Sequence, residues 1–183
     1  MTGFSLALDR SAEFSTSGQV GGKCFGASYP KSAAMLTAAI SEMEAAYTDL
    51  SSRPTSPPNT GIGGSSGIGG RTFVPGVYKL TVVLNLESDV TLSGGADDVF
   101  IFHTTGNINF ATDVKIILEG GVQAKNIFWV AAMTVAVQAR AHVEGIIYTY
   151  TDVTMVTGSS INGRIFAQTA VNLQKATVKA PAC

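Results

Sequence analysis

Apolar residues in the C-terminal two-thirds of the chain alternate with small or polar ones, and the alternating segments themselves repeat. Five of them align: Leu84-Asn85-Leu86, Ile108-Asn109-Phe110, Val135-Ala136-Val137, Val153-Thr154-Met155 and Val171-Asn172-Leu173. A period of two reads as a strand with one buried face. The last three segments are centred on 136, 154 and 172, a step of 18 residues, and the earlier steps of 24 and 27 carry insertions in their turns. Ahead of most of them stands a more continuously apolar run: Val99-Phe100-Ile101-Phe102, Asn126-Ile127-Phe128-Trp129, Ile146-Ile147-Tyr148 and Arg164-Ile165-Phe166-Ala167. Behind them come a third short strand and a glycine corner, as in Val143-Glu144-Gly145, Ile161-Asn162-Gly163 and the stretch from Lys115 to Gly121. Three short strands per turn predict a mainly β fold, a right-handed parallel β-helix (solenoid) with a triangular cross-section, its coils over about 72–180.

One segment has a different period. Leu36, Ile40, Met43, Tyr47 and Leu50 form a single apolar stripe, rich in alanine, between Tyr29-Pro30 and Arg53-Pro54. This predicts one long α-helix over about 32–51. The continuously apolar strands need cover on their outer side, so the helix is expected to pack along that face. Residues 54–71, rich in Gly, Ser and Pro, read as a loop, and their glycines fit neither a phosphate-binding loop nor a dinucleotide fingerprint. Upstream, Leu6 and Leu8 suggest a short strand. The length suits a single domain over 1–183.

The alternation also decides which side chains face water. In a parallel coil, equivalent residues stack in register at about 4.8 Å per rung. The outward middle column is then Asn85, Asn109, Ala136, Thr154 and Asn172. One flank is Val83, Asn107, Thr134, Asp152 and Ala170, and the other is Glu87, Ala111, Gln138, Val156 and Gln174. These columns hold no lysine, arginine or aromatic residue, and only two acids. An ordinary solvated β-face carries many charges. A rigid lattice of short side chains suits a crystalline water surface, with methyls organising nearby water and hydroxyls and amides anchoring it. Small residues also suit a tightly wound coil, and that bland reading stands beside the first.

Composition narrows the choice. The chain is 45% hydrophobic and 14% charged, with a net charge of −1. No basic cluster is present to meet nucleic-acid phosphates, and no apolar run is long enough for a membrane span. No cofactor or metal motif occurs. Cys24 and Cys183 read either as a clamp on the C-terminus or as two free thiols. A polysaccharide-active enzyme on a β-helix would use carboxylates or a base, for which the candidates are Asp97, Asp98, Asp113, His103 and His142. Asp97-Asp98 sits in a turn composition, and neither histidine has an evident partner at metal or triad spacing, so no enzyme is expected. A carbohydrate-binding or adhesin-like module would expose aromatics, yet Trp129 falls on a strand expected beneath the helix.

Several stretches resemble the ice-binding (antifreeze) proteins of snow moulds and other fungi, sea-ice diatoms and polar bacteria. They include Thr2-Gly3-Phe4-Ser5-Leu6, Val74-Pro75-Gly76-Val77-Tyr78, Asn126-Ile127-Phe128-Trp129, Ser160-Ile161-Asn162-Gly163-Arg164 and Ala170-Val171-Asn172-Leu173-Gln174. The resemblance covers essentially the whole chain. It implies a discontinuous solenoid with a helix along one face, and a secreted protein that arrests ice growth and recrystallisation and shows thermal hysteresis. The implied contact residues are Asn85, Asn107, Asn109, Ala111, Thr134, Ala136, Gln138, Asp152, Thr154, Val156, Ala170, Asn172 and Gln174. The partner is ice itself and the expected state a monomer. The family's discontinuous coil would also bring Cys24 and Cys183 together as a disulfide. Family members usually begin earlier than Met1 does here, which points to weaker or moderate activity, and no secretory signal is read at this N-terminus.

Overall fold

A computed structural model of the protein describes residues 15–17, 20–24, 33–56, 67–81 and 83–181, in two compact units, 1–46 and 47–183. In the first, β1 (Ser15–Ser17) pairs antiparallel with β2 (Val20–Cys24). The helix α1 (Ala33–Ser52) begins in that unit and ends in the second. Its bounds match the alanine-rich apolar stripe, and Pro54 lies just beyond its end, where a missing N–H and a fixed φ prevent another turn. Leu6, Leu8 and Cys183, and with them the expected early strand and cysteine pairing, lie outside the described residues, and of Cys24 only the backbone is described.

The second unit winds as a coil of three parallel sheets. Its first rung is β3 (Thr72–Phe73), β4 (Gly76–Leu80) and β5 (Leu84–Leu86). The second is β6 (Val90–Ser93), β7 (Phe100–Thr104) and β8 (Ile108–Phe110). The third is β9 (Ile116–Glu119), β10 (Ile127–Ala131) and β11 (Val135–Val137). Then come β12 (His142–Thr149) with β13 (Asp152–Met155), β14 (Ser160–Ala167) with β15 (Ala170–Leu173), and β16 (Thr177–Lys179). The sheets run β4-β7-β10-β12-β14, β5-β8-β11-β13-β15 and β3-β6-β9, and the last face is continued by the first halves of β12 and β14 and by β16.

Here the structure joins what the sequence pattern separated. In the fourth and fifth rungs the third strand and the continuously apolar strand are one strand that turns a corner at glycine. Gly145 has φ +119, and a Cβ at Gly163 would lie 1.6 Å from the Gly145 carbonyl oxygen. Two backbones meet at that corner at a distance only glycine permits. The insertions of the longer, earlier turns fall at this same corner, as residues 94–99 and 120–126, where Asn126 Nδ2 donates to the Ala96 carbonyl at 2.9 Å.

The interior is a stack of aromatic rings. Tyr78, Phe102 and Trp129 lie on successive rungs with centroids 5.1 and 4.5 Å apart and nearly parallel planes. Trp129 is fully buried, and its indole N–H donates to the Glu144 carbonyl at 2.9 Å. A buried donor is thereby satisfied and two rungs are tied together. On the outer side of the same sheet, Tyr47 and Leu50 of α1 pack with Ile101 and Val130, so these strands are buried on both sides. Lys79 Nζ donates to the Ser51 carbonyl at 2.8 Å, supplying one of the partners that a helix C-terminus lacks. Further up the stripe, Leu36 and Met43 are half-buried and Ile40 is exposed.

Candidate functional site

The second sheet sets its outward residues in the predicted columns. Asn85 pairs with Asn109, Asn109 with Ala136, Ala136 with Thr154 and Thr154 with Asn172, each as direct neighbours in a parallel ladder. Burial alternates along every strand except the last: the flanking apolar residues are buried and the middle residue is half-buried. The flanks continue the ladder. The amide N–H of Ala111, Gln138, Val156 and Gln174 each donates to a carbonyl of the preceding rung at 2.9 Å, and Asp152 pairs with Ala170. Seven of the thirteen residues expected to make the contact surface lie in the strands of this one sheet, and Asn107, Ala111, Thr134, Gln138, Val156 and Gln174 directly flank them. In β15, at the last rung, Leu173 is 49% exposed, so the inward–outward contrast fades there.

Side chains on this face bond to one another from rung to rung. Asn109 Nδ2 donates to Asn85 Oδ1 at 2.8 Å, and Asn107 Oδ1 accepts from both the backbone N–H and Oγ1 of Thr134, at 3.1 and 3.0 Å. These bonds fix the amides of the first two rungs and the Thr134 hydroxyl of the third. The later rungs present the methyls of Ala136, Thr154, Val156 and Ala170 beside Asp152. Along one edge, buried threonines close the corner that leads into the site strands. Thr104 Oγ1 accepts from Gly106 N–H and Thr149 Oγ1 from Thr151 N–H, and Thr149 Oγ1 also donates to the Met133 carbonyl. On the opposite edge Arg140 meets Asp113 through two contacts of 2.6 Å. Both are exposed and both have positive φ, and the guanidinium's hydrogen bonds hold the Asp113 carboxyl below the usual carboxylate range.

The other two faces differ in chemistry. One carries the end of the helix. The third bears Lys115, Glu119, His142, Glu144 and Lys179. There the structure corrects an expectation, because His142 does have partners. Its Nδ1 lies 2.7 Å from Ser160 Oγ and its Nε2 3.0 Å from Glu144 Oε1, while Asn162 Nδ2 donates to Glu144 Oε2 at 2.7 Å. The signal was the 18-residue repeat itself, which sets residue 160 beside 142 and residue 162 beside 144. His103 sits instead on the helix-covered sheet, half-buried between Lys79 and Val130. No described residue bonds its buried Nδ1. Among the described residues no cluster of three or more His, Cys, Asp or Glu could hold a metal ion.

Residues 1–179 match the family model described as Ice-binding-like. The chain belongs to the ice-binding family. It is 42% identical over 182 residues to an ice-binding protein of Flammulina populicola, covering 99% of this chain and 73% of that one. With an ice-binding protein of Flavobacterium frigoris it shares 46% identity over 149 residues, covering 81% of this chain and 53% of that protein. It thus spans about half the length of the bacterial relative. Among solved structures, a glycosylated ice-binding protein from an Arctic yeast superimposes with a TM-score of 0.89 at 34% identity, covering 99% of this chain and 78% of that one. This likeness agrees with the three-sheet coil and its single described α-helix.

One extension of this sheet was not legible as such. Residues 54–71 read as a loop, yet Gly67 forms a parallel bridge to Asn85 at the head of the site sheet. Glycine leaves no hydrophobic period to detect, and a lone Ile68 between small residues was the only hint.

Proposed function

We propose that this ice-binding family member adsorbs to ice through the outward face of β5, β8, β11, β13 and β15, without enzymatic chemistry, and so slows crystal growth and recrystallisation. The observation that carries the reading is the contrast among the three faces: one is occupied at its centre by the helix end, one is charged, and one is an almost uncharged lattice of short side chains. Ice offers fixed donors and acceptors rather than net charge. A face whose Asn85, Asn107 and Asn109 amides are already bonded to neighbouring rungs loses little conformational freedom there on meeting it. The whole chain acts as one binding unit and as a monomer, its partner being ordered water. The glycosylated state of the yeast relative supports secretion.

Thermal hysteresis and crystal shape in a nanolitre osmometer test this directly. The native chain is expected to open a freezing gap and facet the crystals. Thr154→Tyr or Ala136→Tyr, which raises a ring above a flat surface, is expected to abolish the gap while leaving the circular dichroism melt in place. Glu42→Tyr, on the exposed side of the helix, should change little. Equal loss from all three variants would refute the face assignment. Round crystals from folded native protein would refute ice binding itself.

A further inference from the structure

Between helix and coil the chain passes through Gly61-Ile62-Gly63-Gly64-Ser65-Ser66-Gly67-Ile68-Gly69-Gly70, in which Gly-Ile-Gly-Gly occurs twice. The second copy is built onto the open edge of the site sheet. Gly67 bridges Asn85 in parallel, and the Ile68 N–H donates to the Asn85 carbonyl at 3.0 Å. Ile68 is fully buried within the main core. Strand alternation then turns Gly67 outward, one rung beyond Asn85. Gly70 closes the rung by donating to the Asp89 carbonyl at 2.8 Å.

The three glycines are there for different reasons. A Cβ on Gly69 would meet Ser88 Oγ at 2.6 Å and Ser88 N at 2.7 Å, and Gly70 has φ +74. The coil therefore demands glycine at both. Gly67 has no left-handed φ, and the nearest heavy atom to a Cβ there would be the Asn85 carbonyl oxygen at an ordinary 3.7 Å. Among the described residues nothing in the packing requires glycine at 67, although glycine in an extended segment costs about 0.5–1 kcal/mol relative to alanine. What it does achieve is a level surface at the end of the column.

We propose that Gly67 is a sixth rung of the ice-contacting face, a half-buried position that adds bare backbone to the plane formed by Asn85, Asn109, Ala136, Thr154 and Asn172. The inference rests on the face assignment above. It names a contact residue outside the coils that the repeat revealed, and it lengthens the face by one strand spacing.

The test compares Gly67→Tyr, Thr154→Tyr and Thr91→Tyr, the last on the third face, by thermal hysteresis at matched concentration, with melting temperatures measured alongside. Thr154→Tyr is expected to lose activity and Thr91→Tyr to keep it. Gly67→Tyr should fall by about twofold or more, less than a central position because contact energy concentrates at the middle of an interface. Gly67→Thr, short enough to stay in the plane, should keep native activity. Full activity in Gly67→Tyr together with loss in Thr154→Tyr would end the face at Asn85 and overturn the inference. Full activity in both would overturn the face assignment and this inference with it. If Gly67→Tyr melts early, Gly67→Lys replaces it: its flexible stem can leave the sheet undisturbed, the same loss is expected, and full retention overturns the proposal.

Discussion

The side chains of the site act through what they already touch. Asn85 with Asn109, and Asn107 with Thr134, are bonded before any ligand arrives, so their amides present fixed rather than searching dipoles. Asparagine at both 85 and 109 could be read from the repeat, but the direction of the bond between them could not, because a rotamer depends on the neighbouring rung. His103 shows the same dependence on surroundings. Burial pushes its pKa below the ordinary 6.5, and the charge of Lys79 adds to the effect. The folded protein therefore resists a proton that the unfolded chain accepts. Stability should be level above about pH 6.5 and should fall as the pH drops below it. Melting temperatures taken from about pH 8 down to about pH 5 should show that decline, and His103→Gln should flatten it. Superimposable profiles for the two proteins would assign the slope to other groups.

Among the elements, the long bent strands carry the most information. β12 and β14 each cross a corner that reads in the sequence only as Gly145 and Gly163, and the stacking of one glycine on the other makes the continuous strand possible. Gly163→Ala is expected to destabilise the coil by about 2–4 kcal/mol, since the new methyl must push the Gly145 backbone away. Gly95→Ala, whose Cβ would have its nearest heavy atom at 3.6 Å without a positive φ, is the matched control and should melt like the native protein. Equal melting of both variants would mean that the corner relaxes freely. The helix was legible from its period. It covers the sheet with its C-terminal end, where Tyr47 and Leu50 meet Ile101 and Val130. That position depends on where the chain re-enters the coil, which periodicity does not encode.

At the scale of the coil, stability comes from a stack of rings that no single rung could bury alone. Trp129 is the last of the three stacked rings, parallel to Phe102 and edge-on to Phe110. Trp129→Ala should cost about 3–5 kcal/mol and lower the melting temperature by about 10 °C. Well below that transition thermal hysteresis should persist, because the site face lies outside the cavity; its loss in a still-folded variant would show that the face depends on core packing. The repeat in the sequence determined the strands, their register and the composition of the exposed columns. It could do so because a parallel ladder places residues one turn apart as direct neighbours, so one-dimensional spacing is already three-dimensional adjacency. Tertiary structure alone decided that a glycine-rich connector adds Gly67 to the sheet, and on which rungs of the continuously apolar sheet the helix end rests. These arise when non-repeating segments close against the coil, through contacts of long sequence separation that leave no period behind.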